Sequence, residues 1–163
     1  MRIRHLAVAL LLLAGSSAQA WAEGTKHFQK WSVACGTDRM TDNRSCSMDQ
    51  RVDVAAVNKE AHISFSIYRG VKNDQLQLMV FSNSLQPGEP VYIRVDKNPA
   101  VESQKFVKGQ DAVLFPAAVI AQLQQGKQAF VRFTDRYSNI AYDADIDLQG
   151  FNEALDYLKS LKE

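Results

Sequence analysis

Short runs of alternating apolar and polar residues dominate the chain. Trp31, Val33 and Cys35 share one parity, and Cys46, Met48 and Gln50 share another. Ile63, Phe65 and Ile67 alternate with His62, Ser64, Ser66 and Tyr68, and Val91, Ile93 and Val95 alternate with Tyr92 and Arg94. Successive side chains of a strand point to opposite faces, so a period of two marks a strand with one buried side. The pattern predicts strands over Phe28–Cys35, Ser45 to about Val54, Ala61–Arg69, Gln75–Phe81 and Val91–Val95. Leu76, Leu78 and Val80 on one side of the fourth, with Met79 and Phe81 on the other, fit a strand covered on both faces. Turns are expected at Gly70–Asp74, Ser82–Pro90 and Asp96–Pro99, where Gly, Pro, Asn and Asp gather. Residues 21–27 read as a loose lead-in, with Trp21 either tucked onto the body or left over from the segment before it. Residues 100–115 read as two short strands around Lys108–Asp111.

The pattern changes period twice. Pro116 to Gln125 reads as a helix: proline suits a first turn, Ala and Gln propagate it, Gly126 stops it, and Val119, Ile120 and Leu123 form the buried stripe. Phe151 to Leu161 reads as a second, with Phe151, Ala154, Leu155, Leu158 and Leu161 at helical spacing. Glu153 near its start and Lys159 and Lys162 near its end suit the helix dipole. Between the helices, Lys127–Thr134 and Ile140–Leu148 read as a hairpin. Ala129, Val131 and Phe133 are inward at odd positions, and Tyr142, Ala144, Ile146 and Leu148 at even ones. Paired residue numbers must then sum to an odd value, or one apolar face would meet water. A sum of 275 sets Arg132 opposite Asp143 and leaves Arg136–Asn139 as the turn. The fold class is therefore mainly all-β: an antiparallel sandwich of about seven to nine strands, with a short helix near 116–125 and a C-terminal helix near 151–161.

The amino end adds a compartment. Arg2 and Arg4 precede an apolar run from Leu6 to Ala14, and Ser16–Ala20 ends in an Ala-x-Ala site. Residues 1–20 read as a secretory signal peptide, with cleavage after Ala22 as the alternative. The run is shorter than the ~20 residues that span a bilayer, and no later segment is apolar enough to be transmembrane. Residues 21–163 then form a single β-sandwich domain, expected in the periplasm or secreted. Loss of Arg2 and Arg4 takes the formal charge from +1 to −1, so the mature chain has no electrostatic reason to seek nucleic acid.

Export makes a disulfide credible. Cys35 and Cys46 are the only cysteines and flank a polar, turn-rich stretch of ten residues. The reading is two neighbouring antiparallel strands clipped by a Cys35–Cys46 disulfide; a redox Cys-x-x-Cys is absent. The held loop, with Asp38, Arg39, Asp42 and Arg44, is the candidate interaction tip, set against an ordinary solvated loop. His27 and His62 lie in no metal motif, and no Gly-x-Ser-x-Gly elbow is present. Asp143, Asp145 and Asp147 share one strand face and could gather calcium. They fail the EF-hand template, where Leu148 takes the glycine position and Ala154 the closing glutamate. A solvated face balanced by Arg132 is the simpler account. No catalytic residue, cofactor or metal ligand is assigned.

Three motifs carry a resemblance: Phe28-x-x-Trp31-x-Val33-x-Cys35, then Cys46-x-Met48-x-Gln50, and near the end Leu148-x-Gly150-Phe151-x-x-Ala154-Leu155-x-x-Leu158. Together, behind a signal peptide, they resemble the invasion-associated locus B family of exported proteobacterial proteins. The resemblance covers both ends of the mature chain. It departs in one respect: members often carry a second cysteine pair before the short helix, and the region Phe106 to Val113 has none. The resemblance implies a small envelope β-sandwich with no established catalytic residues or cofactor. Contribution to host-cell interaction is implied by the family name alone.

The leading functional expectation is a non-enzymatic exported protein that binds another envelope component, protein or glycan. The alternative is an inhibitor of an envelope-targeting hydrolase such as lysozyme, with the disulfide-held loop inserted in its cleft. A third class, a carboxylate enzyme, would use Asp143 to Asp147.

Overall fold

The computed structural model describes residues 24–54, 61–69 and 75–161. The expected signal peptide, Trp21, the Gly70–Asp74 turn and Lys162 lie outside the described residues. Ten strands and two helices follow in order: β1 (Lys26–Phe28), β2 (Trp31–Thr37), β3 (Arg44–Asp53), β4 (His62–Arg69), β5 (Leu76–Phe81), β6 (Val91–Val95), β7 (Val101–Ser103), β8 (Ala112–Phe115), α1 (Ala118–Gln125), β9 (Gln128–Thr134), β10 (Ala141–Asp147) and α2 (Phe151–Ser160). They build two antiparallel sheets, ordered β1-β2-β3-β4-β5-β8 and β10-β9-β6-β7. The fold is the expected sandwich, with ten strands among the described residues rather than seven to nine.

Two expectations at the amino end need correction. The lead-in is not loose throughout: Lys26–Phe28 pairs with Trp31–Val33 through a turn at Gln29 and Lys30, with Gln29 at φ 55°. The loop between the cysteines is also shorter than ten residues. Gly36 and Thr37 pair with Ser45 and Arg44, so only residues 38–43 remain outside the strands.

Inward residues of both sheets and both helices share one buried cluster. Trp31 is fully buried within it, edge-on to Phe65 at 6.0 Å and to Phe151 at 5.0 Å. Its indole N–H donates to the Asp147 carbonyl at 3.0 Å. Gln50, only 4% exposed, grips the backbone of the same residue: its amide donates to the Asp147 carbonyl at 2.7 Å, and the Asp147 N–H donates back to its Oε1 at 2.9 Å. A buried amide must be paired to be tolerated. Here the pairing joins β3 of the large sheet to the end of β10 in the small one. Alternation put Gln50 on the inward face; its partner is 97 residues away.

The β9–β10 register obeys the parity rule and has the expected sum of 275. Arg132 faces Asp143 and Thr134 faces Ala141. The buried Asp135 carboxylate fixes the turn beyond, accepting from the Ser138 N–H at 2.7 Å and from its hydroxyl at 2.7 Å. Glycine is forced just before α2. Gly150 sits at φ 80°, and a Cβ there would collide with the backbone carbonyl of Phe28. This accounts for glycine in the terminal motif.

Candidate functional site

The cysteine pair is a disulfide, with an S–S distance of 2.11 Å between residues directly opposite on β2 and β3. Beyond it, Asp38 organises the tip. Its Oδ1 accepts from the Met40 N–H at 2.8 Å, the Thr41 N–H at 2.9 Å and the Thr41 hydroxyl at 3.1 Å. The Met40 and then the Thr41 backbone donors hold the Asp38 carboxyl below the usual carboxylate range. Asp38 N–H donates to the Asn43 carbonyl and Asp42 N–H to the Asp38 carbonyl, closing the turn. Asp38 is thus occupied locally. Arg39 and Met40 project, Met40 being 92% exposed. Asp42 holds the positive-φ corner, and Arg44 is already inside β3. Of the four residues read as an interaction tip, two shape the turn and one begins a strand.

The outer face of the small sheet has a different character. β6 turns Tyr92 and Arg94 outward, β9 turns Phe130 and Arg132 outward, and β10 turns Asp143 and Asp145 outward. Register sets them in rows. Glu102, Tyr92, Arg132 and Asp143 lie side by side across four strands, and Arg94, Phe130 and Asp145 across three. Tyr92, Arg94, Ala100, Phe130, Arg132 and Asp143 line a groove of about 580 Å³. Tyr92 and Phe130 are half-buried, and neither belongs to the buried core cluster. Their rings therefore contribute a surface, not an interior.

Electrostatics divide this face. Arg132 donates from Nε to Asp143 at 2.6 Å and from a terminal nitrogen at 2.7 Å, a bidentate pair. That hydrogen bond holds the Asp143 carboxyl below its ordinary value and pushes Arg132 up. Gln128 occupies Asp145, donating at 3.2 Å. Desolvation, then neighbouring Glu102, raises the Tyr92 phenol. Arg94 has no ion-pair partner among the described residues. The groove thus presents two rings, a neutralised ion pair and one uncompensated cation.

The aspartate face expected on β10 is present, but its members are divided. Asp143 is paired, Asp145 is hydrogen-bonded to Gln128, and the Asp147 carboxylate accepts from the Gln149 N–H at 2.9 Å. Among the described residues no group of three His, Cys, Asp or Glu side chains is placed to hold a metal. No helix among them is long and apolar enough to cross a membrane. The sequence reading put Tyr92 and Arg94 on the polar side of a strand but did not single them out. The usable signal was an aromatic at an outward position in each of two strands. Their adjacency was hidden, because β6 and β9 are far apart in the chain.

Comparisons with known proteins agree with the fold. The structure is similar to the crystal structure of invasion associated protein B from Bartonella henselae, with TM-score 0.62 and 19% identity, covering 82% of this chain and 93% of that one. At this identity the likeness speaks for the fold alone. Comparison with curated protein sequences gives no match. The model of the family described as invasion associated locus B (IalB) protein matches residues 31–159, a span from the core tryptophan to the last turn of α2. The chain belongs to the invasion-associated locus B family.

Proposed function

We propose that this chain is a non-enzymatic protein, exported to the periplasm or secreted, that binds another envelope component through the outer face of its small sheet. The observation that carries the reading is the pair of outward rings, Tyr92 and Phe130, beside the uncompensated Arg94. Rings excluded from a core and an unpaired guanidinium are the side chains that dominate binding energetics elsewhere. The disulfide supports the compartment, because such bonds persist where the surroundings oxidise. The aspartates of β10 support the non-enzymatic part: both Asp143 oxygens accept from Arg132 and Asp145 accepts from Gln128, so neither is a free carboxylate facing a substrate. Host-cell contact, which the names of the family and of its Bartonella relative evoke, would be one use of the same face.

One observation favours a second reading, inhibition of an envelope-targeting hydrolase such as lysozyme. The turn is pre-ordered by Asp38 and displays Met40 almost fully in water, and pre-ordering lowers the cost of insertion into a cleft. Affinity capture from envelope extract separates the two. Tyr92→Ala with Phe130→Ala should abolish capture while Arg39→Ala with Met40→Ala leaves it intact. The reverse pattern, with inhibition of a hydrolase, would transfer the function to the tip.

A further inference from the structure

Resting on the reading of this face as the binding surface, we infer that its ligand is an acidic saccharide, a sugar bearing a single carboxylate. The argument starts with what the face cannot take. β6 lies between β9 and β7, which pairs with its Val91–Ile93, and β9 lies between β10 and β6, so the backbone edges at Tyr92 and Phe130 are occupied. A peptide strand therefore cannot dock there by extending the sheet. Nucleic acid needs several phosphate-neutralising cations, whereas here Arg132 is spent on Asp143, and Glu102 and Asp145 flank the rows.

What remains fits a sugar. Tyr92 and Phe130 are diagonal neighbours, since Tyr92 faces Arg132 and Arg94 faces Phe130. Diagonal side chains stand about 7–8 Å apart, so the rings offer two flat apolar plates to the C–H faces of linked pyranoses. The Arg132–Asp143 pair lies in the same row as Tyr92, with a donor and carboxylate lone pairs left for vicinal hydroxyls. Arg94, exposed and diagonal to Arg132, supplies a two-pronged site for one carboxylate. A dianionic phosphate suits it less, because Glu102 and Asp145 bracket the same face.

The test is a titration of the full mature chain, followed by amide chemical shifts. The probes are short oligomers or monosaccharide derivatives of galacturonate, glucuronate, N-acetylmuramate and N-acetylneuraminate, each against its uncharged methyl ester. At least one acid should perturb the amides around Tyr92, Arg94, Phe130 and Arg132 and bind about tenfold tighter than its ester. Arg94→Gln should erase that tenfold preference and leave ester binding within twofold. Phe130→Ala should abolish both, with the spectrum elsewhere unchanged as proof of folding. Equal binding of acid and ester, indifferent to Arg94→Gln, overturns the carboxylate assignment while the face stands as a binding surface. Silence toward all four acids, with envelope capture still lost in Tyr92→Ala/Phe130→Ala, overturns the saccharide and leaves a protein ligand on the same face. Silence together with undiminished capture removes the parent reading too.

Discussion

Replacing Gln50 by leucine tests how the two sheets are joined. The side chain is buried and makes two hydrogen bonds to the Asp147 backbone, at 2.7 and 2.9 Å. Leucine is close in size, so little cavity is created. The Asp147 carbonyl keeps the Trp31 indole as donor, but the Asp147 N–H loses the Gln50 Oε1 as acceptor. Each lost bond is worth about 0.5–1.5 kcal/mol net, and a stranded donor costs roughly 1–3 kcal/mol. Leucine's apolar gain offsets part of this, leaving a destabilisation of about 2–3 kcal/mol. Urea unfolding under non-reducing conditions reads it directly, with an unchanged slope as evidence that both states stay comparable. Gln50→Glu sharpens the test. An ionised carboxylate facing the Asp147 carbonyl has no proton to donate, so the folded state raises the new group's pKa. Its cost relative to wild type should be small below the unfolded value of ~4.3 and grow as pH rises past it. A Gln50→Leu variant within about 0.5 kcal/mol of wild type, or a Gln50→Glu cost independent of pH, would refute the clamp.

Reduction of the Cys35–Cys46 bond, or Cys35→Ser with Cys46→Ser, should lower unfolding free energy by about 3 kcal/mol on the chain-entropy model, measured by urea titration with and without reductant. Gly150→Ala should cost at least about 2 kcal/mol, since alanine resists positive φ and its methyl meets the Phe28 carbonyl; thermal unfolding checks it. Asp38→Ala should speed hydrogen exchange at the Met40 and Thr41 amides without touching β2 or β3. The Arg132–Asp143 pair is half-exposed, so Arg132→Gln should lower stability only slightly, read as a small shift of the urea midpoint. Because Asp143 has a depressed carboxyl, that difference should be present above pH ~4 and vanish as pH falls through the folded value.

Some of this was legible before any coordinates. Parity excluded every even register, because a slip by one residue would have put Ala129, Val131 and Phe133 in water, and the Arg136–Asn139 turn then selected Arg132 against Asp143. Alternation placed Trp31, Met48 and Gln50 inward, and all three are buried. What alternation cannot say is which strand sits beside which. β5 pairs with β8 across the whole β6–β7 excursion, and β6 pairs with β9 across β7, β8 and α1. The ring-lined groove exists only through that second pairing, so no local pattern could reveal it. The β1 hairpin escaped for another reason: its turn is Gln29–Lys30, without the Asn-Gly or Gly signal such turns ordinarily carry. Within the tip, the sequence does not show that Asp38 spends its carboxylate on the turn itself, because its partners are backbone donors two and three residues on.

The most direct measurement places a photo-crosslinking amino acid at one position at a time in the chain expressed in its own cell envelope. Substitution at Ala100, which lines the groove, or at Glu102 beside Tyr92 should yield a discrete adduct, whereas substitution at Met40, or at Ser160 at the end of α2, should yield none. Adducts from Met40 with none from Ala100 or Glu102 would contradict the account and give the binding role to the disulfide-held tip.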